Sequence, residues 1–255
     1  MNNAKRRMKR IFHKGSGRCL IVAIDHAGYM DAPSEPLKDP AARIREVRAG
    51  GADSIITTYG TACSCVDAIG DAGLILTHST SMNTVPGFVE TALRLGADGI
   101  KHMVYPWLDT DPDAVTRNSF LAIECAKWGL PLLSEMIPGG FSAGPDMRTP
   151  ERIAGAARVG AENGADMIKT FYTGDSVSFK VVVENSPVPV VILGGDSTND
   201  RALLQAVRGA LDAGGAGVAM GRNIWGHPAP EAVTAAIAAI VHDDASVEDA
   251  LRVLR

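Results

Sequence analysis

Eight short apolar runs punctuate the chain: CLIVAID from Cys19, ADSIITT from Ala52, LILTHS from Leu74, GIKHMVY from Gly99, PLLSEM from Pro131, MIKTFY from Met167, PVVILGG from Pro189 and GVAMGRN from Gly217. Their length and β-branched content predict buried strands. Between most of them lie stretches with apolar residues at three- and four-residue intervals, such as PAARIREVRAGG, PGFVETALRLGA, PDAVTRNSFLAIECAKWG, TPERIAGAARVGAENGA and NDRALLQAVRGALDAGGA. That spacing predicts helices with one buried face. Thr149-Pro150 opens one of them with a cap and a first-turn proline, and glycines close several.

A smaller repeat supports this order. Gly51-Ala52-Asp53, Gly96-Ala97-Asp98 and Gly164-Ala165-Asp166 precede the second, fourth and sixth runs, and Gly215-Ala216-Gly217 precedes the eighth. One helix-to-strand turn used four times implies a repeated βαβα unit. Strands alternating with helices give a parallel sheet, and eight units in 255 residues predict a single-domain α/β chain, a (β/α)8 TIM barrel over residues 1–255. An open doubly wound sheet would carry a glycine-rich nucleotide loop after its first strand, where this chain has Asp25-His26-Ala27-Gly28. Asp31 to Pro40 and Gly139 to Pro150 are long enough to serve as active-site loops.

Composition narrows the function classes. The chain is 46% hydrophobic and 21% charged with a net charge of −4. The first fourteen residues hold six Lys/Arg and no acid, so the remaining body is more acidic than the total. An acidic body argues against a nucleic-acid partner. The basic segment 1–18 lacks an apolar targeting core and reads as a surface helix or arm. No apolar run reaches the ~20 residues of a membrane span, so a soluble chain without a membrane partner is expected. Cys19, Cys63, Cys65 and Cys125, with no signal peptide, fit a reducing cytoplasm. Cys63-Ser64-Cys65 has no second pair to complete a metal site, and no metal or cofactor is expected. Helices such as AVTAAIAAIV are apolar beyond one face, which predicts an exposed surface and a homo-oligomer.

In a barrel of this kind catalytic residues gather at the C-terminal ends of the strands. Asp25 and His26 end the first run, His78 lies near the end of the third, Glu135 near the end of the fifth, and Asp196 follows the seventh, while Lys101 and Lys169 sit inside the fourth and sixth. Singly, each could be a structural residue salt-bridged in the barrel. Together, two lysines and two carboxylates are accommodated more cheaply by one shared polar centre. There the charges neutralise one another, and an ammonium crowded by a second one releases its proton more readily. A neutral lysine amine forms a Schiff base with a ketone, which permits aldol cleavage or condensation without a metal.

The end of the barrel order supplies a second signal. Gly194-Gly195 closes the seventh run and Gly221-Arg222 the eighth. Glycine frees backbone amides to approach an anion and arginine adds a charge-assisted contact, so these loops are the expected phosphate site. His26 and His78 are candidates for contacts to substrate hydroxyls.

These residues resemble the class I aldolase superfamily that includes archaeal-type fructose-bisphosphate aldolases, deoxyribose-phosphate aldolase and tagatose-bisphosphate aldolase. The likeness spans nearly the whole chain. GRCLIVAIDHAG looks like the first strand of the archaeal-type enzymes, placing Asp25 at their strand-one aspartate. ADMIKTFYTGD is similar to the strand bearing the Schiff-base lysine, which maps onto Lys169. VVILGGDS and GVAMGRNIWG look like the phosphate-binding strand ends. The archaeal-type bisphosphate enzymes carry Tyr-Pro-Arg-Gly after strand five, with the tyrosine as proton donor, whereas this chain reads Ile137-Pro138-Gly139-Gly140. ADGIKHMVYP and PLLSEMI look instead like the tagatose-bisphosphate branch, which implies Lys101 as electrostatic partner of the Schiff-base lysine and Glu135 as general acid/base.

The expected activity is therefore a metal-independent class I aldolase, a lyase of carbohydrate metabolism acting on a phosphorylated ketose or dihydroxyacetone phosphate. Tyr59, Tyr105 and Tyr172 are possible replacements for the absent donor. Three other readings remain open: an aldolase-like transferase or thiolase on a phosphorylated ketone, a metal-dependent barrel using His26, His78 and His102, and a non-catalytic sugar-phosphate-binding barrel.

Overall fold

A computed structural model describes residues 3–78, 84–195 and 199–254. Its eight strands are β1 (Cys19–Ala23), β2 (Ser54–Thr57), β3 (Gly73–His78), β4 (Gly99–Val104), β5 (Leu132–Met136), β6 (Met167–Thr170), β7 (Val190–Leu193) and β8 (Gly217–Met220). Each pairs in parallel with the next, and β8 pairs with β1 to close a barrel. All eight apolar runs contribute a strand. Around them lie α2 (Pro40–Ala49), α5 (Val85–Arg94), α6 (Ala114–Trp128), α7 (Pro150–Glu162), α8 (Ser176–Asn185), α9 (Asp200–Asp212) and α11 (Pro230–Asp243), with shorter α3 (Tyr59–Ser64), α4 (Val66–Ile69), α10 (Arg222–Trp225) and α12 (Val247–Val253). Caps start several of them: Asp39, Thr149, Asp175 and Asn199 each accept a first-turn amide, the Thr149 cap followed by Pro150 as the sequence predicts.

The Gly-Ala-Asp repeat has a structural cause. Gly51, Gly96 and Gly164 have φ of 98°, 79° and 92°, the left-handed region that glycine enters without a Cβ penalty. The aspartate two residues on then ties an even strand to the odd one before it. Asp53, Asp98 and Asp166 accept the amides of Leu20, Leu74 and Leu132 at 2.7, 3.3 and 3.0 Å and return their own amides to the same leucines' carbonyls. Before β8 the third position is Gly217, because a Cβ there would stand 2.0 Å from the carbonyl oxygen of Cys19.

The barrel interior is layered along the strands. Cys19, Ile21, Ile75, Leu133, Met167 and Val191 form an apolar floor. Above it, toward the C-terminal strand ends, the inward positions become Asp25, Thr77, Lys101, Glu135 and Lys169, all under 5% exposed. Below it the basic helix α1 (Asn3–Ile11) closes the lower opening: Ile11 is buried with the floor residues, its carbonyl accepts from Ser54 Oγ at 3.3 Å, and Arg10 pairs with Asp98 at 2.8 Å. The N-terminal segment thus reads as a cap of the barrel rather than a free arm.

One expectation fails here. The apolar helix α11 is not exposed: Val233, Ala236, Ile237 and Ile240 are fully buried. It lies between the barrel and a last helix, α12, with α2 and α9 on its flanks, so its second apolar face is consumed within the chain. Exposed large apolar side chains occur instead on α6, at Phe120, Ile123 and Trp128, and on α8, at Val177 and Val181. Among the described residues no helix is long and apolar enough to cross a membrane.

Candidate active site

Strand alternation brings the charged residues together. Side chains two apart on a strand share a face, so Thr77 on β3, Lys101 and Met103 on β4, Glu135 on β5 and Lys169 on β6 all project inward. Register completes the layer, with Thr77 opposite Lys101 and Glu135 opposite Lys169. Lys169 Nζ lies 2.9 Å from Glu135 Oε1, and Lys101 Nζ lies 2.8 Å from Glu135 Oε2 and 3.1 Å from Asp25 Oδ2. Thr77 Oγ1 donates to the same Asp25 oxygen at 2.6 Å. The order Lys169, Glu135, Lys101, Asp25 is a chain of alternating charge. Glu135 therefore stands between the two lysines, where the sequence alone suggested ammonium against ammonium.

Alternation fixes the protonation of the inner members. Burial acts against charge on every one of them, and the neighbours overcome it. Burial would raise Asp25, but Lys101, Lys169 and the Thr77 hydroxyl pull it down to about 2. Glu135, equally penalised by burial, is also held below its ordinary value by the two lysines. Burial would lower Lys101, yet Glu135 and Asp25 raise it above the usual lysine range. Both carboxylates are thus proton acceptors at neutral pH and Lys101 is a fixed cation. One acceptor takes no hydrogen bond: Asp25 Oδ1 is buried without such a partner among the described residues, with His26 Nδ1 at 3.5 Å.

A cavity of about 350 Å³ opens onto this chain. Glu135 and Lys169 line its depth, and Gly194, Gly221, Arg222 and Asn223 line one side. Space there is reserved for backbone, since a Cβ on Gly194 would meet Asn223 Oδ1 at 2.2 Å and one on Gly221 would meet the His26 ring at 2.3 Å. Gly195 is not part of the lining; its carbonyl accepts from Asn223 Nδ2 at 3.2 Å and so orients that amide. Asp196 lies outside the described residues. His26 does line the cavity, with its ring edge-on to Trp225 at 5.3 Å, and burial lowers it to about 4, so it is neutral. Tyr29, Met30, Met103 and Phe141 complete the lining, Tyr29 through its 5.6 Å contact with the His26 ring that also faces Gly221.

The structure does not bring His78 to this cavity. Thr77 takes the inward position, so His78 faces the helix layer, edge-on to Phe88 of α5 and 3.4 Å from His102, Nδ1 to Nδ1. The three histidines of a metal reading are accordingly split between two faces. Cys63 is exposed and Cys65 buried on neighbouring positions, and among the described residues no three His, Cys, Asp or Glu side chains form a group that could hold a metal ion. Of the tyrosines singled out, Tyr59 is exposed on α3, Tyr172 packs between Phe179 and Gly209 outside the barrel, and Tyr105 donates to Met103 Sδ at 3.4 Å. Tyr29 and Asn223 are polar cavity residues that the sequence did not mark. Tyr29 sits in a loop with no periodic signal, whereas Asn223 directly follows Gly221-Arg222 and could have been read with them.

Residues 19–227 match the model of the DeoC/LacD family aldolases. The chain belongs to that family. The aldolase is 40% identical over 242 residues to a 2-amino-3,7-dideoxy-D-threo-hept-6-ulosonate synthase from Halobacterium salinarum, covering 92% of this chain and 90% of the relative. It is 31% identical over 248 residues to a 2-amino-4,5-dihydroxy-6-oxo-7-(phosphonooxy)heptanoate synthase from Streptomyces griseus, covering 93% and 89%. Among solved structures it resembles an archaeal fructose-1,6-bisphosphate aldolase whose catalytic lysine is covalently bound to the carbinolamine intermediate of its substrate. The TM-score is 0.80, with 29% identity over 94% of this chain and 99% of that one. The aldolase thus has the class I fold and family membership expected from its motifs.

Proposed function

We propose that this aldolase forms a Schiff base between Lys169 and a phosphorylated ketone and makes or breaks the adjacent carbon–carbon bond. The observation that carries the reading is the bridging of Lys169 and Lys101 by one buried carboxylate at the bottom of a cavity whose side wall is glycine, Arg222 and Asn223. Glu135 takes the proton that the Lys169 amine loses before attack and returns it to the carbinolamine oxygen as water leaves. Lys101 stays charged, which keeps Glu135 and Asp25 ionised and adds a positive field at the imine. Asp25, whose Oδ1 accepts no hydrogen bond among the described residues and lies 3.5 Å from His26 Nδ1, accepts the proton from the carbon beside the imine as the enamine forms. Amides near Gly194 and Gly221 with Arg222 hold the phosphate.

The relatives suggest which aldehyde to try. The compound named for the Streptomyces griseus relative has seven carbons, a 2-amino group, hydroxyls at C4 and C5, a ketone at C6 and a phosphate on C7. Opening its C4–C5 bond by a retro-aldol step gives dihydroxyacetone phosphate and the four-carbon amino-acid aldehyde 2-amino-4-oxobutanoate. The Halobacterium salinarum name has the same 2-amino, 6-oxo skeleton. We place this chain's reaction in that class, as the condensation of a three-carbon ketone with a small aldehyde. The test is intact mass after incubation with dihydroxyacetone phosphate and borohydride, followed by peptide mapping. A stable adduct on Lys169 is expected; no adduct with any three-carbon ketone would reject Schiff-base chemistry.

A further inference from the structure

Forming the new bond leaves an alkoxide on the former aldehyde carbon, and some group must protonate it. Glu135 is poorly placed for this because both of its oxygens are engaged, one by each lysine, and it is a carboxylate without a proton to give. Lys101 is occupied by two carboxylates. The residue sequence offers no tyrosine at position 137, where the archaeal-type motif would put one.

We infer that Tyr29 is the proton donor to the aldol oxygen. The inference rests on the proposed Schiff-base reading and assigns its last unfilled role. Tyr29 follows a tight 3-10 turn over His26–Gly28 that ends β1, with its amide bonded to the His26 carbonyl at 3.1 Å. The turn fits closely against the end of β2, since a Cβ on Gly28 would meet Thr58 Cγ2 at 2.6 Å. It folds Tyr29 back over the mouth of the barrel. There its ring centroid lies 5.8 Å from Lys101 Nζ and 5.6 Å from the His26 ring, and the side chain lines the same cavity as Lys169 and Glu135.

Position and chemistry agree. With the phosphate end of the ketone held at Arg222, the lining left for the aldehyde is Tyr29, Met30, Met103 and Phe141. The aldehyde oxygen is two carbons beyond the imine carbon, which moves it from the depth of the cavity toward its mouth. Tyr29 is about half exposed, and the protein packed on its covered part, followed by the Asp25 carboxylate, raises its hydroxyl above the ordinary value, so it holds its proton until a strong base appears beside it. As the enamine carbon attacks, the carbon–carbon bond forms and the carbonyl π pair moves to oxygen, which takes the Tyr29 proton. The phenolate is then restored by the proton that Asp25 accepted from the donor carbon. No proton is gained or lost over the cycle.

The test compares wild type with Tyr29→Phe, a change that keeps the ring and removes the acid. Three quantities are measured: the borohydride adduct with dihydroxyacetone phosphate, solvent deuterium exchange into the donor carbon, and condensation with whichever of glycolaldehyde, glyceraldehyde and 2-amino-4-oxobutanoate the wild type turns over. Adduct and exchange are expected within about threefold of wild type and condensation slower by roughly 10²–10⁴, with KM for the ketone unchanged. Tyr59→Phe, on the exposed rim, serves as a control and retains all three. Condensation at the wild-type rate in Tyr29→Phe, or an equal loss of all three activities, would overturn the assignment alone. A wild type that forms no adduct would instead overturn the Schiff-base reading beneath it.

Discussion

Glu135 and Lys169 are joined twice, as opposite residues in the register of β5 and β6 and as an ion pair at 2.9 Å. The backbone therefore delivers the carboxylate to the amine without help from a loop. Lys169→Ala should leave no trapped adduct, and Glu135→Gln should slow trapping by roughly 10²–10⁴ because the amine loses its proton acceptor. Time-resolved mass spectrometry with borohydride checks both. An adduct persisting in Lys169→Ala would move the nucleophile to Lys101.

Lys101 answers for two buried anions at once. Replacing it by methionine keeps the stem and leaves Asp25 and Glu135 with too little positive charge, in a layer under 5% exposed. The expected cost is about 3–5 kcal/mol, which lowers Tm by roughly 10 °C for a chain of this size. Calorimetry measures it. A Tm equal to wild type would show that the two carboxylates find other compensation.

Stability should fall on the acid side before the carboxylates titrate. Burial, assisted by His78, lowers His102 to about 4, and burial lowers His26 to about 4, against an ordinary value of 6.5. The unfolded chain thus binds more protons than the folded one between those limits. Stability is complete above pH 6.5 and declines toward pH 4, on the order of 3 kcal/mol for each histidine. Asp25, lowered from 3.8 to about 2, adds a further loss only below its ordinary value. Urea midpoints between pH 7 and 4 should show the first decline, and His102→Leu should flatten part of it.

Arg222 is exposed at the rim of the glycine wall, so its effect should fall on the phosphate and not on the fold. Arg222→Ala is expected to raise KM for dihydroxyacetone phosphate about tenfold or more, the worth of a charge-assisted hydrogen bond. Unphosphorylated dihydroxyacetone should react equally with both forms. Parallel steady-state assays of the two ketones decide it, and an equal penalty for both would remove Arg222 from phosphate recognition.

What the sequence made legible follows from what a buried parallel strand exposes to inspection. The strands and most helices were readable because apolar runs and three-four spacing are local signals, and lysines inside two runs were conspicuous in a place hostile to charge. Sidedness was not readable. Strands of a barrel are apolar on both faces, so nothing local separates inward Thr77 from outward His78. Burial of α11 depends on α12, a later segment, and was invisible to a reading of α11 alone. Tyr29 owes its place to a turn that swings it over the mouth, a tertiary fact with no periodicity behind it.

Ile11 fills the lower opening of the barrel, while Lys169 stands above the apolar floor and faces the opposite end. A vessel filled from one side is loaded in sequence. On the proposed Schiff-base reading, the ketone, whose carbonyl would meet Lys169, goes in ahead of the aldehyde. The joined product then has to leave by the same route before another ketone can descend. On that reading, a barrel capped from below predicts a compulsory order of binding for the two substrates.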